Sequence, residues 1–377
     1  MTGLAPGFDG SGPCWVCGDE SLVPYHQARL DLMIYREQDP ELAAYSGTSV
    51  WLRRCASCGF GQPERLPSLP GFFDRMYDQH WSAEWIAQEF ESPYKDRIFR
   101  RILASLRSRL PDSRRTLLDI GAHAGRFLHL ARESGWTAEG LELNPRTAAY
   151  AEQRTGARVH RVNAEALAFQ GSRFDAVTLT DVLEHIPHPV AMLSRARSVL
   201  APGGWIAVKV PCGPVQRMKE EWLARLRRGY EPRLADNLVH VNHFSPGALT
   251  LALTRAGFED ATLEIGAPEL PPDGKGANVA RLAIFGLGRL LPLGVHTPLA
   301  LNLQAFGRNP GVETGVSSRQ SAVGSRQSAV SSRQSAVGSR QSAVCSQQSA
   351  VGSHGSAVRS QPGVRRLLKE PLSEATS

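Results

Sequence analysis

Cys14-Trp15-Val16-Cys17-Gly18 and Cys55-Ala56-Ser57-Cys58-Gly59 are two CxxCG knuckles in one chain. The glycine after each pair allows a tight turn that points two thiolates inward, and four sulfurs can enclose Zn2+ tetrahedrally. That closure leaves no open coordination position, so Cys14, Cys17, Cys55 and Cys58 are expected to hold a structural metal. Two pairs speak for metal rather than for a redox CxxC, and the cysteine usage fits a reducing compartment better than a disulfide framework. A second chemical signal is the run Leu117-Leu118-Asp119-Ile120-Gly121-Ala122-His123-Ala124-Gly125-Arg126-Phe127-Leu128. Apolar residues ending in an acid, two glycines four apart, then apolar residues at helical spacing read as buried strand, tight turn and helix. In an open α/β sheet the carboxyl end of the first strand is where a nucleotide-like ligand binds.

The next strand ends Glu139-Gly140-Leu141-Glu142-Leu143-Asn144-Pro145, which puts Glu142 where an acid can accept hydrogen bonds from both hydroxyls of a ribose. Glycine spacing then separates the ligands that carry one. A dinucleotide site uses G-x-G-x-x-G so that backbone can approach a pyrophosphate. Here the spacing is Gly121-x-x-x-Gly125, with His123 in the middle. Asp119, just before the turn, would repel phosphate and suit a ligand bearing an amino group and a sulfonium.

The elements that must position these residues follow from pattern. Strands are expected at 116–120, 137–142, 157–162, 174–180, 204–210, 261–266 and 300–307, alternating with helical runs. Such alternation implies a mostly parallel sheet with helices on both faces, the last two strands forming a hairpin at one edge. The fold class is therefore α/β, a Rossmann-like seven-stranded sheet. Four segments are expected: a zinc-binding module over 1–70, a helical lid or linker over 71–114, the sheet domain over 115–310, and a tail over 311–377. The tail repeats Gly-Ser-Arg-Gln-Ser-Ala-Val every seven residues. From about Val316 to Val358 each repeat has its Val and Ala adjacent rather than at a and d, and no Leu or Ile to offset ordering entropy. It is expected to be disordered, with Cys345 an incidental thiol.

Further along come Val162-Asn163-Ala164-Glu165, then Phe174-Asp175-Ala176-Val177, Val182-Leu183-Glu184-His185-Ile186-Pro187-His188-Pro189, and Leu200-Ala201-Pro202-Gly203-Gly204-Trp205. Together with the glycine turn and the Gly-Leu-Glu-Leu-Asn-Pro acid, they resemble the class I S-adenosylmethionine-dependent methyltransferases over roughly residues 75 to 310. The resemblance implies that Asp119, Gly121, Ala122 and Gly125 hold the methionine part of S-adenosylmethionine. Glu142 and Leu143 would take the ribose, Asn163, Ala164 and Glu165 the adenine, and Thr180 would line the same seat. There are two departures: His123 replaces the usual middle glycine, and Asn163 stands where an Asp usually contacts adenine. The knuckles resemble the N-terminal zinc-binding region of some bacterial methyltransferases, notably those acting on nucleotide-linked deoxysugars.

For the chemistry this implies, His185 is the first candidate general base, with Tyr77, His240 and His243 behind it. Asp181, Glu184 and His185 also resemble a divalent-metal cluster found in certain O-methyltransferases, although an EH pair after this strand is widespread without metal. The expected partner is a small-molecule methyl acceptor, for example a nucleotide-linked sugar or a quinone-like ring. The alternatives are an RNA methyltransferase, or a non-catalytic binding or scaffold protein on the same fold. Charge argues against nucleic acid, because +5 of the net +7 falls after residue 310 and the rest of the chain is nearly neutral. The basic stretch Arg217 to Arg233 would suit a phosphate but reads more simply as a solvated helical face. No signal peptide and no membrane span are expected, so the expected location is cytoplasmic. The apolar run 277–306 is expected to be a buried helix or lid.

Overall fold

Every run of alternating strand and helix pattern after residue 115 resolves into one seven-stranded sheet. The computed structural model describes residues 6–78, 81–164, 174–230 and 236–310. The N-terminal module contributes β1 (Phe8–Gly10), β2 (Leu22–Arg29), α1 (Pro40–Ala43), β3 (Ser49–Cys55), β4 (Gly61–Pro63) and β5 (Arg65–Pro67). β2, β3 and β4 form a three-stranded antiparallel sheet, and β1 pairs with β5. Three helices follow: α2 (Phe72–Tyr77), α3 (Ala83–Glu91) and α4 (Asp96–Arg109). α4 buries Ile98, Phe99, Ile102, Leu103 and Leu106, the apolar stripe its sequence spells out. Each contributes about 1.5–3 kcal/mol of burial against its ordering cost.

The sheet domain then runs β6 (Thr116–Ile120), α5 (Arg126–Glu133), β7 (Thr137–Leu141), α6 (Pro145–Thr155), β8 (Val159–His160), β9 (Phe174–Thr180), α7 (Pro189–Val199) and β10 (Leu200–Pro211). It closes with α8 (Gly213–Leu226), α9 (Pro246–Arg255), β11 (Glu259–Ile265), α10 (Lys275–Leu290) and β12 (Asn302–Arg308). Strand order is β11-β12-β10-β9-β6-β7-β8, with β12 antiparallel to both neighbours and the other pairings parallel. One face packs on α7 and α9, and the other on α4 and α5.

Three expectations need correction. The third strand is only Val159–His160, because Gly140 and Leu141 are its sole pairing partners. The final two strands pair antiparallel at the edge as expected, yet α10 separates them in sequence and β12 lies inward of β11. α10 itself buries only Phe285 and Gly288 and exposes Val279, Leu287 and Leu290, so it is a surface helix rather than a buried one. Among the described residues no helix is long and apolar enough to cross a membrane. The repeat after residue 310, and with it Cys345, lies outside the described residues.

The described residues belong to one compact unit. Cys14, Val16, Cys55 and Phe60 of the module lie in the same apolar cluster as the α7–α9 face of the sheet.

Candidate active site

The glycine turn is built by backbone that only small or polar residues tolerate. Gly121 has φ +77°, and a Cβ there would fall 2.4 Å from Val182 Cγ2. Gly125 has φ +89° and starts α5, with Ala151 Cβ 2.9 Å from where its own Cβ would be. The N–H groups of Gly121 and Ala122 both donate to the Leu141 carbonyl, at 2.8 and 3.0 Å, which joins the turn to the end of β7. His123 takes φ +49° without being glycine, and its N–H donates to Glu142 Oε2 at 2.8 Å. Glu142 Oε1 accepts from Asn144 N–H at 2.9 Å, so both carboxylate oxygens are held at the strand tip. Asn144 then caps α6 by accepting from Arg146 and Thr147 N–H, with Pro145 at the first helical position, which is why the chain turns so sharply after Glu142 and Leu143.

Asp119 is fully buried at the end of β6, and Thr178 Oγ1 donates to its Oδ1 at 2.6 Å. Burial pushes its carboxyl up to about 7. Above the turn, Trp81 stacks on Trp85 at 4.4 Å, and Trp85 meets the His123 ring edge-on at 5.3 Å. Asn163 Nδ2 donates to Asp74 Oδ2 at 2.7 Å, and Asn144 Nδ2 to the Tyr77 carbonyl at 3.2 Å, so α2 is fastened over the carboxyl ends of β7 and β8. Ala164 follows Asn163; Glu165 lies outside the described residues.

On the other side of β6, the chain after β9 carries the ionisable groups. Asp181, at φ +55°, pairs with Lys209 and, at 2.9 Å, with Lys95. Burial opposes its charge, but the two ammonium groups hold its carboxyl well below the usual carboxylate range. Lys209 is 2% exposed and also lies 3.6 Å from Glu269. Burial would discharge it; Asp181 and Glu269 keep its ammonium raised instead. Glu184 is buried with its Oε2 unpartnered, and burial next to Asp181 pushes its carboxyl up to about 8. Thr180, Lys209 and Gln304 are direct cross-strand partners on β9, β10 and β12, so they share one face. The Thr180 hydroxyl and both ends of the buried Gln304 amide have no protein partner.

His185 Nδ1 is 2.6 Å from the Val239 carbonyl and 2.8 Å from the Tyr77 hydroxyl. A carbonyl can only accept, so Nδ1 carries the hydrogen and Nε2 presents a lone pair. Burial lowers the pKa of His185 and, down to about 3, that of His240, whose ring lies 4.8 Å away. Glu184, His185 and His240 can bring one ligand atom each within 4.8 Å of one another. The structure thus gathers Tyr77, His185 and His240. His243 faces the module instead: it is buried edge-on to Tyr25 at 6.4 Å, and burial lowers it to about 4. Lys95, Lys209 and Gln304 escaped the sequence reading. A lone lysine inside Ile206-Ala207-Val208-Lys209-Val210 is a signal for the second of these; Lys95 carries none.

In the module, Cys14 Sγ lies 3.6 Å from Cys58 Sγ, and Cys17 Sγ 3.3 Å from Cys55 Sγ, with all four sulfurs within 4.8 Å of one another. A tetrahedral Zn–S shell of about 2.3 Å bonds has edges near 3.8 Å, so the set fits the ion. The hydrogen bond between the two sulfurs lowers the Cys14 thiol to about 5 and raises that of Cys58, so one proton is shared across that pair.

The model of the methyltransferase-domain family matches residues 94–263. The chain carries a methyltransferase domain. Its matched span takes in Lys95, the glycine turn, Glu142, His185 and Lys209, and leaves out the knuckles, Tyr77 and Gln304. The ubiquinone biosynthesis O-methyltransferase of Paraburkholderia xenovorans is 32% identical over 98 residues, 24% of this chain and 42% of that protein. The protein of the same name from Cereibacter sphaeroides is 36% identical over 100 residues, 25% of this chain and 40% of its own length. The chain thus spans about two fifths of the length of either relative. A methyltransferase of Haloferax volcanii, solved with the Trm112 methyltransferase activator, superposes with a TM-score of 0.44 at 19% identity, covering 63% of this chain and 98% of that one.

Proposed function

We propose that the protein transfers a methyl group from S-adenosylmethionine to a hydroxyl-bearing small molecule. The observation that carries this reading is Glu142: an acid at the tip of the second parallel strand, both oxygens already held by backbone N–H groups of the turns beside it. Asp119, Gly121, Ala122 and Gly125 would surround the methionine part, Glu142 and Leu143 the ribose, Asn163, Ala164 and Glu165 the adenine, with Thr180 at the floor. S-adenosylmethionine supplies a methyl group on a sulfonium, and displacement there is in line, so much of the rate comes from holding the acceptor oxygen in position. His185 Nε2 takes the proton that the hydroxyl loses, and Tyr77 and the Val239 carbonyl hold the ring from its other nitrogen.

The acceptor's polar groups would meet Thr180 and Gln304, whose unpartnered atoms offer both donors and acceptors. Lys95 and Lys209 are balanced there by Asp181 and Glu269, which favours a neutral group over a phosphate. Arg217 and Lys219 of the basic stretch pair with Glu221 and Glu220, as on a solvated helix. The relatives' names, O-methyltransferases, point the same way, to an oxygen as the acceptor. Cys14, Cys17, Cys55 and Cys58 would hold a structural Zn2+, and four reduced cysteines fit the cytoplasm. Calorimetric titration of the zinc-loaded chain with S-adenosylmethionine tests the core of the proposal. Saturable one-to-one binding is expected; absence of heat and of competition by S-adenosylhomocysteine would overturn it.

A further inference from the structure

We propose that the second cysteine knuckle, acting through Asn242 and the segment from Val239 to Ser245, fixes which nitrogen of His185 carries its proton. This rests on His185 as the base of the proposed methyl transfer. Two groups reach His185 Nδ1, and they are not equivalent. The Tyr77 hydroxyl can donate or accept, so it is compatible with either tautomer. The Val239 carbonyl accepts only, and at 2.6 Å it requires hydrogen on Nδ1 and leaves Nε2 bare. The tautomer therefore depends on where the Val239 carbonyl is held.

Val239 lies outside helix and strand, and its neighbours hold it from two sides. On the domain side, Val241 and Asn242 N–H both donate to the Glu184 carbonyl, at 2.9 and 3.0 Å. The Asn242 side-chain Nδ2 donates to the Leu183 and Ile186 carbonyls, at 2.6 and 2.7 Å, and so closes around the turn that bears His185. On the module side, His243 and Gly61 exchange backbone hydrogen bonds of 2.9 Å in both directions. Ser245 Oγ donates to the Cys58 carbonyl at 3.0 Å, and the Phe60 and Phe244 rings pack at 5.1 Å. The approach is close enough to need glycine: a Cβ on Gly61 would lie 2.7 Å from the Tyr25 hydroxyl and 3.0 Å from His243 Cβ. Across the same turn, Trp15 of the first knuckle packs against His188 at 4.9 Å. The turn bearing His185 is thus clasped between the two knuckles. Glu142 and the glycine turn take none of these bonds. Asn242, Gly61 and Ser245 are positioning residues, and metal closure of the four cysteines keeps their anchor rigid.

The test is 15N NMR of the zinc-loaded full chain labelled at histidine, with His185 assigned by the signal lost in His185→Gln. The unaltered protein is expected to show Nδ1 protonated and Nε2 bare. Asn242→Ala, and separately removal of the metal by a chelator, should each move the ratio of the two tautomers at least fivefold toward Nε2–H. Affinity for S-adenosylhomocysteine, read by calorimetry, should stay within about twofold. Asn242→Asp, whose carboxylate cannot donate to the two carbonyls, should behave as Asn242→Ala does. Ser245→Ala gives a milder version should Asn242→Ala fail to fold. An Nε2–H tautomer in the unaltered protein overturns the proposal, as does an unchanged signature in the metal-stripped protein. A shift accompanied by loss of S-adenosylhomocysteine affinity also overturns it, because the segment would then merely support the fold. Failure of the proposed function would show separately, as absent S-adenosylmethionine binding in a protein whose His185 signature is intact.

Discussion

Each oxygen of Glu142 is tied to a different backbone N–H, that of His123 or of Asn144, so the carboxylate is fixed at the tip of β7. In the proposed function its remaining lone pairs are the ones that would accept from the two hydroxyls of a ribose. Hydrogen bonds to a charged group contribute about 1.5–3 kcal/mol each, so Glu142→Ala should weaken S-adenosylmethionine binding roughly 10- to 100-fold or more. Calorimetry with both proteins checks this; an unchanged dissociation constant removes Glu142 from the ribose site. Glu184 makes a different kind of prediction. Its carboxyl is near 8 in the fold against about 4.5 in an unfolded chain. Between those values the unfolded chain has released a proton that the native state keeps, so this group's contribution to stability falls as pH rises from about 4.5 through 8. Glu184→Gln keeps the neutral shape and removes the titration. Between pH 6 and pH 9 the unaltered protein should lose on the order of 2 kcal/mol relative to Glu184→Gln, read from urea melts at the two pH values.

Among the elements, the strand–turn–helix unit from β6 to α5 is the most constrained. Ala in place of Gly125 would face both a left-handed φ of +89° and Ala151 Cβ at 2.9 Å, so α6 would have to move off α5. A cost of about 1–3 kcal/mol is expected for Gly125→Ala, visible as a lower melting temperature and weaker S-adenosylmethionine binding together. The knuckles make the metal prediction: one zinc per chain by elemental analysis, lost in the double substitution of Cys55 and Cys58 by Ser. Both elements were legible because their signals are local, with glycines at fixed offsets and paired cysteines spaced for one turn each. β8 is shorter than its sequence suggests because an apolar run announces a strand but not how many partners it will find. α10 differs for a related reason: its apolar residues suggest burial, while the fold buries only Phe285 and Gly288.

At the scale of the molecule, the histidine site joins residues far apart in sequence, Tyr77 to His185 and His185 to Val239. No local pattern announces such pairings, which is why His185 and His240 could be named as candidates but not their partners, and why His243 was grouped with them. The chain's end is easier to reason about. β12 is the last strand of the sheet, and Asn309 closes it. Asn309 N–H donates to the Gly204 carbonyl at 2.8 Å, its carbonyl accepts from Gly203 at 2.7 Å, and its side chain donates to the Leu200 carbonyl at 2.9 Å. Those bonds tie the exit of the folded chain to the irregular first residues of β10. Beyond it the repeats are built from Gly, Ser, Gln, Arg, Ala and Val and offer no large apolar side chain to pack on the sheet. A chain ending at Pro310 should therefore melt within about 1 °C of the full chain and bind S-adenosylmethionine equally well. A chain ending at Gly307 loses Asn309 and the last pairing of β12, and each buried hydrogen-bonding group left unpaired costs about 1–3 kcal/mol. Its melting temperature should fall by several degrees. Calorimetric scans of the three chains decide the matter: if the chain ending at Pro310 melts as low as the shorter one, the repeats contribute to the fold after all.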